Sequence, residues 1–339
     1  MYIENINLRN SISSWLLFMF FIIAIMIIVG GLTRLTDSGL SITEWELFAG
    51  FLPPLNQNDW NKYFDLYKEI PEFKLQNYDM TMSEFKIIFW WEWIHRFLGR
   101  LIGISFLIPL IYYTYRTSFK TLLKLYLIFF LICFQGFIGW YMVSSGLVDR
   151  VDVSHYRLAL HLMIAFFIIS LILWNFLELK YQSFDKNKFN YNLSFFFLII
   201  VYAQISIGAF VSGMDAGTIY NTWPMMGSNF FPDDNNFFNL LSFSAFNDPS
   251  LVQFMHRNLA YVIILIYLFI FFNVYRAKIE KLYRSINLIG LFLIIQVILG
   301  ILTLLYGAQI YLASMHQISS IFLVSSCVYF LFLNKQSSS

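Results

Sequence analysis

Four histidines and one glutamate carry the chemistry open to this chain. His95 lies in the stretch WWEWIHRFLGR (90–100), three residues after Glu92 and one before Arg96, and His161, His256 and His316 lie in equally apolar surroundings. A charge near the centre of a bilayer costs roughly 2.5–3.5 kcal/mol on insertion scales, so ionisable groups inside such segments are functional candidates by default.

Aligned on itself, the chain repeats. GGLTRLTDSG (30–39) matches GAFVSGMDAG (208–217), pairing Gly30, Asp37 and Gly39 with Gly208, Asp215 and Gly217, and Trp45 with Trp223, all at an offset of 178. His95 and Arg96 match His256 and Arg257 at 161, as do Gln135 with Gln296 and Gly139 with Gly300, and His161 matches His316 at 155. The offset only shrinks, at loops, as deletions would make it. Four of the five histidines therefore occupy duplicated places at similar depth, two in each half.

A single membrane histidine is ordinarily a hydrogen-bonded packing residue, but duplication favours ligands. Zinc requires a closed tetrahedron of Cys, His or carboxylate, and the second half has no acid beside its pair. Two facing imidazoles suit the two axial positions of a haem iron, so His95, His161, His256 and His316 are the candidate iron ligands. Arg96, Arg157 and Arg257 are candidates for the propionates, which need charge-assisted partners where water is scarce; snorkelling at the interface explains them equally well. His155 has no counterpart and reads as a surface residue of a polar turn.

One position breaks the symmetry. Glu92 precedes His95 by three, on the same helical face, whereas the matching residue in the second half is Gln253. An acid kept in one half only points to chemistry there, catalysed by Glu92 with His95 and His161, and to electron transfer or structure in the other. The plain alternative is an ion pair between Glu92 and Arg96 one turn on.

These residues need a membrane scaffold. The chain of 339 residues is 59% hydrophobic and 12% charged, outside the range of soluble domains, and its net charge of +2 with no basic run excludes a nucleic-acid partner. Apolar runs near 14–33, 87–114, 122–143, 157–177, 194–213, 251–274, 285–306 and 310–333 predict eight transmembrane helices. The expected fold is all-α and polytopic, two tandem four-helix bundles (1–180 and 181–339) related by a pseudo-two-fold axis along the membrane normal.

Connectors rich in base (Arg116, Lys120, Lys124; Lys180, Lys186, Lys188; Arg276, Lys278, Lys281, Arg284) alternate with acidic ones. Residues 34–86 hold nine acids against five bases, and 214–250 hold Asp215, Asp233, Asp234 and Asp248 with no base. The positive-inside rule then places both termini in the cytoplasm and the histidines toward the periplasmic side. The first apolar run reads as a retained anchor in a bacterial inner-membrane protein. Loop 34–86 is too long for a bare connector and is expected to fold as a cap of short helices. Cys133 and Cys327, both in apolar runs, read as core residues.

The segments TDSGLSITEW, YKEIPEFKLQNYDMTMSEFKIIFWWEWIHRFLGR, FQGFIGWYMVSSGL, HYRLALHL, AGTIYNTWPMMG, VQFMHR and YLASMHQ resemble, in order and over nearly the whole chain, haem A synthase, in the branch shared by mitochondria and α-proteobacteria. The resemblance implies that a porphyrin methyl of haem O is oxidised to formyl by successive hydroxylations, giving haem A. It implies a haem b cofactor on His256 and His316 and substrate haem between His95 and His161, with Glu92 as the acid of the E-x-x-H-R motif. Haem O synthase and terminal oxidase assembly are the partners it implies. The electron acceptor is unknown, and a homo-oligomer remains open.

Another branch carries a cysteine pair in the first outer loop; here that loop has none. Bis-imidazole ligation closes both axial positions, so either one histidine leaves the iron or the iron only removes electrons. The rival reading is a dihaem b-type electron carrier serving quinol or a periplasmic acceptor. Four histidines near one face argue against a wire across the bilayer. A transporter is disfavoured because Pro109 alone interrupts a span deeply.

Overall fold

Long apolar runs force helices wherever water is absent, because each backbone N–H and C=O must then be satisfied within its own segment. The computed structural model describes residues 3–46, 49–148, 151–181 and 189–335; Lys186 and Lys188, used above for orientation, lie outside the described residues. Among the described residues, eight helices are long and apolar enough to cross a bilayer. They are α1 (Ile6–Leu35), α4 (Met82–Arg116), α5 (Phe119–Gly146), α6 (His155–Lys180), α7 (Tyr191–Gly213), α8 (Pro249–Arg276), α9 (Glu280–Leu305) and α10 (Ile310–Leu333). Each covers one expected span. Two shorter helices, α2 (Gln57–Lys68) and α3 (Pro71–Leu75), lie between α1 and α4, and no strand forms among the described residues.

Local chemistry sets the ends. Thr81 and Glu84 make a reciprocal capping box that starts α4, Ser118 caps α5, Asn190 caps α7, and Asp248 caps α8 with Pro249 in its first turn. Pro109 sits inside α4 without ending it, and the helix runs on to Arg116. After α1 and after α7 the chain turns through a left-handed residue, Asp37 (φ 46°) and Asp215 (φ 50°), a conformation that Asp tolerates better than most side chains.

The first long loop folds as the expected cap. Trp60, Phe64, Tyr67 and Ile70 bury with Phe85, Ile88 and Phe89 of α4 and with Leu40 and Ile42. Ring pairs such as Trp60–Phe89 (5.0 Å, edge-on) and Phe64–Phe85 (4.9 Å, stacked) fix it. Of the two cysteines, Cys327 is buried as expected, whereas Cys133 is exposed on α5, an apolar side chain turned outward on a membrane helix.

The chain divides into two compact units, Phe21–Ala165 and Met1–Phe20 with Phe166–Ser339, the divisions falling inside α1 and α6. The first unit holds His95 and His161. In the second, α7 to α10 pack together and hold His256 and His316.

Candidate functional site

In each unit two imidazoles face one another. The rings of His95 (α4) and His161 (α6) have centroids 6.4 Å apart with planes at 72°, and those of His256 (α8) and His316 (α10) are 6.4 Å apart at 82°. Nδ1 of His161, His256 and His316 is buried without a hydrogen-bond partner. Three of the four rings thus leave a buried nitrogen unused, unlike the hydrogen-bonded packing histidine that sequence alone allows.

Each ring rests on a glycine of a neighbouring helix. A Cβ built on Gly30 (α1) would stand 3.1 Å from His95, on Gly139 (α5) 3.0 Å from His161, on Gly208 (α7) 3.0 Å from His256, and on Gly300 (α9) 3.1 Å from His316. These glycines give up helix propensity, roughly 1 kcal/mol against Ala, so that an imidazole can lie against bare backbone. Glutamines hold the histidine-bearing backbone: Gln135 donates to the His161 carbonyl (2.9 Å), Gln296 to that of His316 (3.0 Å) and Gln204 to that of His256 (3.0 Å). The position matching Gln204 at an offset of 178 is Met26, which cannot donate.

The residues one turn away form a clamp, built the same way twice. Arg96 donates from Nη2 to the Ile42 carbonyl (2.7 Å) and from Nη1 to that of Glu44 (3.1 Å). Arg257 donates from Nη2 to the Tyr220 carbonyl (2.8 Å) and from Nη1 to those of Thr222 (2.9 Å) and Met225 (3.2 Å). Tyr220 and Thr222 match Ile42 and Glu44 at the offset of 178. Both arginines therefore strap the long loop that precedes their helix to it through its carbonyl oxygens, a task that suits the rigid guanidinium fork. Nε of Arg257 remains buried without a partner.

Glu92, 2% exposed, accepts four hydrogen bonds. Its Oε1 receives Arg96 Nε (3.0 Å) and Nη2 (2.6 Å), and its Oε2 receives the Ser41 hydroxyl and the Ile42 N–H, each at 2.7 Å. The ion pair that sequence offered as the plain alternative is thus formed. Gln253 fills the matching place as a neutral strut, its Oε1 accepting from Arg257 (3.2 Å) and its Nε2 donating to the Tyr220 carbonyl (3.2 Å). Ser41 has other acceptors within 3.3 Å, the carbonyls of Ser38 and Ile88, so its hydroxyl can turn away and free Oε2.

Arg157, four residues before His161 on α6, is differently placed. It donates to the hydroxyls of Ser145 and Tyr141 and lies 4.8 Å over the Tyr141 ring, with no carboxylate partner among the described residues. His155 is a correction: only 9% exposed, it packs on the Tyr156 ring (centres 4.2 Å apart, planes tilted by 38°) and is buried at the start of α6. A polar sequence context suggested a surface turn; helical packing covers it. A cavity in the first unit, about 20 Å³, lies beside Arg96 and Arg100 beneath the loop rather than between the imidazoles. It has room for about one water.

Two imidazoles that approach one metal from opposite sides, through nitrogens about 2.0–2.1 Å away, place their ring centres about 6.3 Å apart. The observed 6.4 Å in both pairs meets that spacing, and no group of three or more His, Cys, Asp or Glu side chains gathers among the described residues to complete a zinc site. The residues fit a haem iron held by two histidines, once in each unit.

Fold and site together define a multi-pass membrane protein with one facing histidine pair in each unit. A family model described as cytochrome oxidase assembly protein (COX15-CtaA) matches residues 13–328. The chain is 46% identical to the heme A synthase of Pelagibacter ubique over 99% of its own length and 100% of the relative's, and 42% identical to that of Rickettsia bellii over 97% and 100%. It is 39% identical to the heme A synthase of Flavobacterium johnsoniae over 95% and 97%. The chain belongs to this COX15-CtaA family of cytochrome oxidase assembly proteins.

Proposed function

We propose that this chain is a haem A synthase, an oxidoreductase that converts haem O to haem A by successive hydroxylations of a porphyrin methyl. The observation that carries the proposal is the pair of imidazole couples at 6.4 Å, with an acid beside one couple and a glutamine beside the other. Substrate haem lies between His95 and His161, which bind and orient it. Haem b is held by His256 and His316 and, when bound, supplies one-electron transfer.

The chain's own groups do the remaining work. Arg157, which donates to the Ser145 and Tyr141 hydroxyls and has no carboxylate partner among the described residues, holds a propionate at the first site, and the unmatched Nε of Arg257 serves the second; Arg96, already engaged, holds the loop over the substrate. Each hydroxylation by water releases two protons and two electrons, and the electrons pass to an acceptor outside this chain. Glu92 Oε2 takes one proton when Ser41 turns to its alternative acceptors, while Oε1 stays on Arg96.

The acidic long loops and basic connectors support an inner-membrane orientation with both termini cytoplasmic and the haem sites toward the periplasm. Haem O synthase is the expected donor and terminal oxidase assembly the expected consumer. The test is to purify the protein from membranes of a host supplied with haem O and to identify acid-extracted haem by mass. Haem A or its hydroxylated precursor beside haem b is expected. Haem b alone, at about two per chain, refutes the proposal in favour of a dihaem electron carrier.

A further inference from the structure

Three of the four facing imidazoles are held in one way and the fourth in another. Gln135, Gln204 and Gln296 donate to the carbonyls of His161, His256 and His316, which ties each histidine's helix to its neighbour at the histidine itself. At His95 this glutamine is absent, and no other side-chain donor reaches its carbonyl among the described residues. Met26 of α1 stands at the position of Gln204, and its Cε lies 3.5 Å from a Cβ built on Gly99, one turn beyond His95 on α4. The contact between α1 and α4 falls a turn away instead. There the Thr33 hydroxyl, bonded to the Val29 carbonyl at 2.9 Å, reaches the Trp91 carbonyl at 3.4 Å.

The seats of the rings differ in the same sense. His161, His256 and His316 each turn Cε1 toward their glycine, 3.0 or 3.1 Å from the built Cβ, with Nδ1 at 3.6 Å and Nε2 at 3.8 Å. His95 turns Nε2 toward Gly30, at 3.1 Å, with Cε1 at 4.0 Å. Ring centres are 6.4 Å apart in both pairs, so His95 occupies the matching place in a different rotation. One turn on, its helix is bare at Gly99, where the second unit has Ala260, and the neighbour there is a thioether, a side chain that adapts to what moves against it.

We propose that His95 is the exchangeable ligand of the first pair, releasing the iron of the substrate haem while His161 keeps it. The inference rests on the function proposed above: a haem that is substrate has to be taken up and let go, whereas a resident cofactor does not. In the release the iron–nitrogen bond to His95 breaks with both electrons staying on the imidazole nitrogen, so no oxidation state changes and no proton moves. The ring then turns between staggered side-chain positions, and no carbonyl tie at that residue resists. In the second unit the same motion would pull against Gln204 at His256 or Gln296 at His316. One amide–carbonyl hydrogen bond changes such a rate by about three- to tenfold.

The experiment reads ligand release by mixing carbon monoxide with the reduced full-length protein carrying haem in both units, because the gas occupies such an iron only after an axial histidine has left. The first-unit haem is expected to bind it in a fast phase, assigned by the loss of that phase together with the haem in His161→Ala, and haem b more slowly. Met26→Gln, which supplies the missing tie, should slow the fast phase about three- to tenfold, and Gln204→Met should speed the slow one by a similar factor. His95→Ala should keep the first-unit haem in a high-spin form. A first-unit haem that takes no carbon monoxide, or one lost from His95→Ala but kept in His161→Ala, overturns the inference. Where the alanine variants behave alike or fail to accumulate, the rates decide: a slowed Met26→Gln supports it, and an unchanged Met26→Gln beside a faster Gln135→Met moves the exchange to His161 and refutes it. The expected pattern in a protein that makes neither haem A nor its precursor brings down the proposed function and leaves His95 as the labile ligand.

Discussion

Glu92→Gln separates the chemistry of the acid from its place in the clamp, because the chain already contains the substituted clamp at Gln253. In the first unit Glu92 accepts four hydrogen bonds, two from Arg96 at 3.0 and 2.6 Å and two from Ser41 and Ile42 at 2.7 Å. A glutamine keeps one acceptor oxygen and turns the other end into a donor. At most two of the four bonds survive, now to a neutral group. Charge-assisted bonds contribute about 1.5–3 kcal/mol each, so two lost bonds would cost about 3–6 kcal/mol if nothing compensated. The second unit supplies the compensation: Gln253 Nε2 donates to the Tyr220 carbonyl while its Oε1 keeps Arg257 at 3.2 Å. The equivalent carbonyl, that of Ile42, is within the same clamp. The net loss should be about 2–3 kcal/mol, a lowering of the melting temperature by several degrees but not unfolding.

Turnover should respond far more strongly. Removing a positioned proton acceptor slows such reactions by about 10²–10⁴-fold. The assay is haem extraction from purified protein, with bound haem counted first and the ratio of haem A to haem O followed in time. A haem-replete Glu92→Gln protein that turns over within about threefold of wild type would refute the catalytic reading and leave Glu92 as a strut, as Gln253 is. A variant without haem at the first centre would instead mean that the clamp holds the substrate site open.

Four glycine-to-alanine substitutions should run against propensity. Alanine ordinarily stabilises a helix interior by up to about 1 kcal/mol, but at Gly208 and Gly300 the new methyl meets His256 and His316 at 3.0 and 3.1 Å; the spectrum of the resident haem should shift or be lost, as electron paramagnetic resonance would report. Gly30→Ala and Gly139→Ala should spare that signal and weaken haem O retention, measured by extraction. Arg257→Lys removes the fork that spans the carbonyls of Tyr220, Thr222 and Met225, and faster proteolysis of loop 214–250 is expected at unchanged helix content. The buried Glu72 makes stability depend on pH: its carboxyl is raised from 4.5 to about 8 in the folded chain. Its contribution is fully present below the unfolded value and is lost as pH rises toward 8. Melting should therefore be lower at about pH 8.5 than at about pH 5.5, by on the order of a few kcal/mol in stability, and flat in Glu72→Gln.

Sequence alone located all eight membrane helices to within a few residues at most ends, because apolar length is a strong signal in a chain that must satisfy its backbone without water. It found the histidines through their repeat, and the glycines and two of the glutamines through the same alignment, but not what these do. A glycine that receives an imidazole looks the same in sequence as one that merely packs close. Arg96 and Arg257 were legible as charges needing partners. That these partners include loop carbonyls was not, since carbonyl oxygens carry no sequence signature. Glu72 was hidden among nine acids of an exposed-looking loop, and only the folding of Trp60, Phe64, Tyr67 and Phe85 around each other buries it.

The two halves also show which parts of a duplicated site are free to diverge. Glycine seats, histidines, the carbonyl-clamping arginines and the left-handed aspartates at 37 and 215 recur with matched geometry. These set position, and changing either copy would misplace a ring or loosen a loop. Glu92 against Gln253 and Met26 against Gln204 differ. Those positions alter proton affinity and polarity around a ring while leaving it where it is. A scaffold that repeats the geometry and varies what surrounds it can hold two chemically similar macrocycles and act on one.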